Sequence, residues 1–388
     1  MISESISGST SSVVNLIAET PYRNNLTIMK TYLMLTLLSL SISLHICIAQ
    51  STPDELLLKN YRPQSIYKIP LTKNRKVSTP IIDLHSHAYA ATEKELEAWV
   101  NTLRELKIEK TIVLSKATGA KFDSIYQVYS RYGSLFEVWC GFDYTGYGTS
   151  AWPEAGIKEL ERCYKKGARG IGELGDKGYG EMYSLPTKIK GIHIDDPKLK
   201  PLLKKCGELK MPISIHVSEP EWMYHRMDST NDGLMNAFKW RIDSTASGFL
   251  GHNALVRTLE NAVLDNPGTT FIACHFANCE TDLSMIGRLL KKYSNLYADI
   301  SARFGETTPI PRYMKKFYQE HATKLVYGTD MGMEPGMYKA TFRILESSDE
   351  HFYERDLFSY HWPCHGFDLD EKTLNRVYYQ NALQILKR

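Results

Sequence analysis

The run Asp83-Leu84-His85-Ser86-His87 sets two imidazoles two residues apart at the end of an apolar stretch. Side chains alternate along a strand, so Asp83, His85 and His87 are expected on one face. Two imidazoles so placed can hold one ion, and nitrogen donors suit Zn, Fe, Ni or Cu better than Mg or Ca. A lone His-x-His on a strand is a weak signal. It gains weight from other apolar runs that end in polar groups: Ile213-Ser214-Ile215-His216, Phe271-Ile272-Ala273-Cys274-His275 and Tyr327-Gly328-Thr329-Asp330. Histidines with one carboxylate make a mixed nitrogen and oxygen site with room for water, which a catalytic metal needs. Glu173, in Gly170-Ile171-Gly172-Glu173-Leu174-Gly175, is a further carboxylate of suitable type. It could contact metal, orient a ligand, or pair with Lys177 or Arg169. Arg303 could grip a substrate carboxylate through two parallel hydrogen bonds, or pair with Glu306. Trp222, Tyr224 and His225 could stack on a ring or pack a lid.

These groups can meet only if the strand ends meet. Strand patterns cover Ile81–His85, Thr111–Leu114, Phe136–Phe142, Arg169–Leu174, Pro212–Val217, Thr270–His275, Leu296–Ser301 and Lys324–Gly328. Helical patterns fall between them. The first, Thr92 to Leu106, opens with a Thr92-x-x-Glu95 capping box. Others fit Phe122–Tyr132, Trp152–Lys166, Pro197–Leu209, Asn253–Leu264, Asp282–Tyr293, Pro311–His321 and Glu371–Leu386. Strands alternating with helices imply parallel βαβ units, and eight of them imply a closed α/β architecture, the (β/α)8 TIM-type barrel. An open doubly wound sheet would carry a Gly-rich phosphate turn after the first strand, where this chain has His-Ser-His. Long connections follow strands 5 (218–252) and 8 (331–370). Both leave carboxyl ends, where barrel active sites lie, and read as walls or lids of a pocket.

Composition agrees with a large buried core. The 388 residues are 43% hydrophobic and 23% charged, which argues against disorder. A formal charge of +3 without long basic runs gives no nucleic-acid patch. Residues 1–49 read as an N-terminal extension with a secretory signal peptide. Met29-Lys30 is the basic start, Leu33–Ile46 the apolar stretch, and Ala49 the cleavage point. Met29 is read as the functional start. The apolar stretch is short for a membrane span, so the mature chain is expected to lack one and to be secreted or periplasmic. Residues 50–80 read as an N-terminal arm and 81–388 as the metal-dependent barrel domain. No cysteine spacing predicts a disulfide.

The chain resembles the amidohydrolase superfamily, in the branch that includes aminocarboxymuconate-semialdehyde decarboxylase. The motifs are IDLHSH (82–87), SIHVSEP (214–220), FIACHFAN (271–278), NLYADISARF (295–304), LVYGTDM (325–331) and VYYQNALQIL (377–386), in the expected order. The resemblance implies that His85, His87 and His216 are metal ligands. It makes Asp330 a ligand and proton shuttle, and His275 a second-metal ligand or acid/base. In binuclear members, and in TatD-like nucleases, a strand-4 carboxylate bridges two metals, and Glu173 would be its equivalent. Decarboxylase-like members hold one metal. One or two divalent transition-metal ions per chain are expected, read as Zn.

The expected activity is metal-dependent hydrolysis of a C–O or C–N bond in a small-molecule lactone, ester or amide. Asp330 and His275 would be catalytic, and Arg303 and Trp222 would bind substrate. The alternative is a non-oxidative decarboxylase or hydratase acting on a carboxylated substrate. A third reading, a secreted binding protein that has lost turnover, fits a complete set of metal ligands poorly. By the resemblance, a homo-oligomer is expected.

Overall fold

The computed structural model describes residues 53–72, 75–76, 78–177, 192–243 and 250–387. The signal peptide expected at 29–49 lies outside them. The chain divides into two units, Met1–Tyr61 and Arg62–Arg388. In the first, the described residues hold one 3-10 turn, Leu58–Asn60, with Leu57 and Leu58 exposed. All else below concerns the second unit.

Among the described residues there are eight parallel strands: β1 (Ile81–Ser86), β2 (Ile108–Leu114), β3 (Phe136–Trp139), β4 (Ile171–Asp176), β5 (Ile213–Val217), β6 (Phe271–Ala273), β7 (Leu296–Asp299) and β8 (Leu325–Val326). Continuous ladders run β1-β2-β3 and β4-β5-β6-β7-β8. Backbone hydrogen bonds join the two seams. Cys140 N–H donates to Gly170 O (3.0 Å) and Gly172 N–H to Cys140 O (2.8 Å), linking β3 to β4. Leu84 N–H donates to Tyr327 O (2.9 Å), linking β8 to β1. This is the expected (β/α)8 order, and every expected strand is found.

The barrel interior is packed. Ile82, Leu84, Ile112, Leu114, Trp139, Ile272, Tyr297 and Val326 form one buried cluster, joined by Ala382 and Ile385 of the C-terminal helix. Gly172 makes room for it, because a Cβ there would lie 2.9 Å from both Leu114 Cδ2 and Ser214 Cβ. The outer helices bury their apolar stripes against the sheet. Helix Glu93–Glu105 does so with Leu96, Trp99, Val100 and Leu103.

That helix starts where the sequence says it should. Thr92 Oγ1 accepts from Glu95 N–H (3.2 Å) while Glu95 Oε2 accepts from Thr92 N–H (2.9 Å). Thr92→Ala is therefore expected to lower unfolding free energy by about 1 kcal/mol, measured by urea denaturation. An unchanged midpoint would mean the cap adds nothing.

Two expectations change. The segment 331–370 is not wholly a lid, because Pro335–Glu346 is an outer barrel helix that buries Tyr338, Phe342 and Ile344. Gly336 depresses its helix propensity, but the Glu334 side chain caps it by accepting from Gly336 N–H (3.0 Å). The segment 218–252 likewise contains a helix, Leu234–Trp240. Thr72 and Arg75 of the expected arm are tied to the barrel unit: Arg75 Nη2 lies 2.9 Å from Glu346 Oε1, and Thr72 Oγ1 donates to Asp349 Oδ1 (2.7 Å). The six described cysteines are buried and unbridged. No helix among the described residues is long and apolar enough to cross a membrane.

Candidate metal centre

Asp83 does not share a face with His85. The β1–β2 register shifts between Asp83 and Ser86, so strict alternation fails there. Asp83 Oδ2 accepts from Thr329 Oγ1 (2.7 Å) and Tyr338 Oη (2.8 Å), while Oδ1 accepts from His85 N–H (3.2 Å). Burial pushes its carboxyl up to about 6 against the pull of those donors. Its role is to anchor the β8 turn.

His85, His87, Glu173, His216, His275 and Asp330 meet at the carboxyl ends of the strands. His85, His87 and Asp330 present ligand atoms within 4.8 Å of one another, as do His85, Glu173 and His275. Glu173 stands among them. Its Oε1 lies 3.0 Å from His216 Nδ1, 3.4 Å from His275 Nε2 and 3.7 Å from His85 Nε2. Its Oε2 lies 3.6 Å from His87 Nε2 and 2.9 Å from Lys116 Nζ. The cation beside Glu173 is thus Lys116. Lys177 pairs with Glu219 instead, and Arg169 bonds the carbonyls of Tyr164 and Ala168. Asp330 Oδ1 is 3.1 Å from His87 Nε2 and 3.5 Å from His85 Nε2.

Three imidazoles are held by their outer nitrogen. His85 Nδ1 is 2.9 Å from Asp299 Oδ2, His87 Nδ1 is 2.8 Å from Leu114 O, and His275 Nδ1 is 2.9 Å from Ser301 O. Each contact places the proton on Nδ1 and turns the Nε2 lone pair toward the cluster, the arrangement metal-binding histidines use. His216 differs, presenting Nδ1. Gly328 permits the approach of β8, since a Cβ there would lie 2.7 Å from His85 Cβ.

Electrostatics favour a cation. Burial opposes charge on His85, but Asp299, Asp330 and Glu173 outweigh it and hold the imidazole up at about 10. His216 is raised in the same way by Glu219 and Glu173 against burial. Burial, with His216 and His85 nearby, lowers His275. Burial would raise Glu173 and Asp330, yet both are lowered, Glu173 by Lys116 and His216 and Asp330 by His85 and His87. The buried Nε2 atoms of His85 and His216 have no hydrogen-bond partner among the described residues. Orphaned imidazole nitrogens within a carboxylate-rich cluster fit a divalent metal ion.

Above the cluster lies a cavity of about 340 Å³. His216, His275 and Asp330 reach it, and Trp240, Phe358, Tyr360, Lys177, Lys239 and Arg303 line it. Arg303 is not an unengaged clamp: Nη1 donates to Glu306 Oε1 (2.8 Å) and Nε to Asn278 Oδ1 (2.9 Å). Trp222 lies outside the lining. It packs at 6.1 Å from Trp362 and 6.5 Å from Tyr360, ring centroid to centroid. Tyr224 Oη bonds Ser218 Oγ (3.0 Å), and His225 is solvent-facing beside Glu221. Lys116, Asp299 and Glu219 were missed by sequence reading, although Lys116 and Asp299 each close an apolar strand run as His216 does.

The amidohydrolase family model matches residues 146–388, which include Glu173, His216, His275 and Asp330. The chain belongs to this family. Among solved structures, this amidohydrolase is similar to 2,6-dihydroxybenzoate decarboxylase complexed with 2,6-dihydroxybenzoate, at 13% identity, 80% of this chain, 99% of that one and TM-score 0.50. A structure of that enzyme from Rhizobium gives 14%, 80%, 99% and 0.49. A Staphylococcus aureus protein assigned as an amidohydrolase gives 13%, 80%, 100% and 0.50. At such identities the likeness shows the fold. No curated protein matches the chain.

Beside the cavity, Glu280 is wholly buried, and neither carboxylate oxygen has a hydrogen-bond partner among the described residues. Burial pushes it from 4.5 up to about 7, with Glu306 and Glu219 adding to the rise and Arg303 opposing it. The folded protein thus keeps a proton that the unfolded chain has lost. Stability from this group is full below the unfolded value and is lost as pH rises through about 7, on the order of 3 kcal/mol in all. Wild type is expected to lose more thermal stability than Glu280→Gln between about pH 5 and about pH 8. Parallel melting curves for the two would contradict this.

Proposed function

We propose that this amidohydrolase is a secreted metal-dependent enzyme that decarboxylates a small carboxylated aromatic substrate without an oxidant. The observation that carries the reading is the cavity: an aromatic wall of Trp240, Phe358 and Tyr360 over a floor of His216, His275 and Asp330. Lys239 Nζ lies 5.5 Å from the Trp240 ring centroid and, among the described residues, pairs with no carboxylate within 4.0 Å. It offers charge to a substrate carboxylate at the rim. The fold shared with a 2,6-dihydroxybenzoate decarboxylase supports the reading without deciding it.

His85, His87, His216 and Asp330, with Glu173 beside them, would hold the ion. When bound, a divalent ion supplies Lewis acidity to a coordinated substrate oxygen. The chain's own residues do the rest. The wall residues orient the ring and exclude water. The C–C bond to the carboxylate breaks, its electron pair stays on the ring carbon, and carbon dioxide leaves. Asp330, ionised in the resting site, would take a proton from water and pass it to this carbon. His275, fixed through Ser301, presents a neutral Nε2 to the same space.

Hydrolysis of a lactone, ester or amide is the second reading. One observation favours it: Glu173 Oε1 lies within 3.7 Å of three imidazoles, a place for a base beside an attacking water. The two are separated by supplying metal-reconstituted protein with hydroxylated benzoates and, in parallel, with lactones and esters. Carbon dioxide release from a benzoate supports the proposal. Lactone or ester cleavage with no decarboxylation would overturn it in favour of hydrolysis. Export is tested separately by sequencing the N-terminus of the protein recovered from its host. A start at Gln50 supports it, and retention of residues 29–49 counts against it.

A further inference from the structure

We propose that a second cleft, between the turn after β1 and helix Gly119–Tyr129, holds the rest of the substrate: an apolar extension that ends in an acidic group. The inference rests on the carboxylated-aromatic reading above and adds where the part beyond the ring lies. The centre is open on two sides. The cavity reaches it through His216, His275 and Asp330. A cleft of about 730 Å³ reaches it through His87 and Lys116, and the two share no lining residue. They meet at one cluster, because His87 Nε2 lies 3.1 Å from Asp330 Oδ1 and Lys116 Nζ lies 2.9 Å from Glu173 Oε2. A substrate held at the cluster can therefore extend into both.

The cleft is built by one helix face and one turn. Along helix Gly119–Tyr129, Lys121, Ser124, Ile125, Val128 and Tyr129 recur at helical spacing and line it together. That stripe runs roughly 12 Å, at about 1.5 Å per residue. Opposite stand Ala88, Ala90 and Ala91, whose small side chains leave the space open. Ile125 and Val128 are half-buried, packing on the core with one edge and facing the cleft with the other. The polar groups have bonding capacity to spare. Tyr129 is 2% exposed, and its Oη accepts from Ala90 N–H (3.1 Å). Its own proton has no acceptor among the described residues. Burial pushes that phenol up to about 12, so it remains a donor. Lys121 is exposed and forms no ion pair among the described residues. The described lining contains no carboxylate. Apolar walls with a buried hydroxyl donor and an uncommitted ammonium suit an apolar chain with an acidic end, and disfavour a cation.

The test is calorimetric binding of benzoate, 4-alkylbenzoates of increasing length and 4-(5-carboxypentyl)benzoate to the zinc-reconstituted full chain. In wild type, affinity is expected to rise about threefold for each added methylene and to level off once the tail outgrows the cleft. The distal carboxylate should tighten binding further over the plain alkyl tail. Ser124→Trp, which fills the cleft from an exposed position, should abolish the gain from the tail and leave benzoate affinity as it was. Lys121→Ala should abolish only the gain from the distal carboxylate. The wild-type length series needs no variant, so the inference stays testable even if Ser124→Trp fails to fold. Equal affinity across the series, a tail gain that survives in folded Ser124→Trp, or a distal carboxylate that adds nothing would each overturn the inference while leaving the decarboxylase reading in place. Failure of every benzoate to bind would instead overturn that reading, and the inference with it.

Discussion

Asp330→Asn is expected to lower turnover by roughly 10²- to 10⁴-fold, the range that a positioned proton carrier contributes, while leaving the fold intact. The position suits the experiment. Asp330 has φ +60, in the left-handed region that asparagine tolerates better than most residues. Its N–H donates to His85 O (2.8 Å), and Tyr89 Oη donates to its carbonyl, so the backbone is held from both sides. Asparagine keeps the shape and the conformation and removes the charge and the titrating oxygen. Oδ1 sits between His87 Nε2 and His85 Nε2 at 3.1 and 3.5 Å, so metal content should be measured beside the rate. Loss of turnover with metal retained would place Asp330 in the proton transfer. Loss of both would make it chiefly a ligand. Turnover within about tenfold of wild type, outside the range for general acid–base catalysis, would remove it from the chemistry.

Much of this site was legible before any geometry. His85, His87, His216, His275 and Asp330 each end an apolar run, and a parallel barrel gathers such ends at one mouth. Glu173 was legible as a carboxylate of suitable type, but its partner was not. Lys177 and Arg169 are near it in sequence, whereas Lys116 reaches it across the sheet because β2 and β4 are pinned together by Lys116 N–H and Gly172 O. Partnering between strands depends on register, and composition says nothing of register. The same limit explains Asp83. Strict alternation puts it beside His85, and a register shift in β1, which no local residue announces, turns it toward Thr329 and Tyr338. Helix Pro335–Glu346 was hidden for another reason. Gly336 in its first turn weakens local propensity, and packing of Tyr338, Phe342 and Ile344 supplies what propensity does not. Arg303 was legible as a cation near the mouth, but not as one already engaged by Glu306 and Asn278.

Asp299 carries the second large effect. It does not itself line the cavity, yet four groups depend on it. Oδ2 faces His85 Nδ1 at 2.9 Å, and Oδ1 accepts from His275 N–H (2.9 Å), Ser301 Oγ (2.6 Å) and Ser301 N–H (3.1 Å). All are buried. Asp299→Ala strands those donors and is expected to destabilise the protein by roughly 3–5 kcal/mol, the scale for breaking a buried charge network from one side. Asp299→Asn is the more informative change. An amide nitrogen facing His85 Nδ1 cannot accept a hydrogen bond, so the imidazole proton moves to Nε2, the atom that faces the metal cluster. Metal affinity is then expected to fall about 10- to 100-fold with a smaller loss of stability. The acid limb gives an independent check. Burial would raise the Asp299 carboxyl, but His85 and the donors around it outweigh burial and hold it down at about 2, below its ordinary 3.8. Its stabilising contribution is therefore full above the ordinary value and is lost as pH falls through about 2. Zinc titration of the asparagine variant and acid unfolding of the metal-free protein decide the matter together. Unchanged zinc affinity would show that His85 keeps its proton on Nδ1 without the carboxylate. In that case the geometry of β1 alone would orient the ligand, and Asp299 would be a structural brace for β6 and β7.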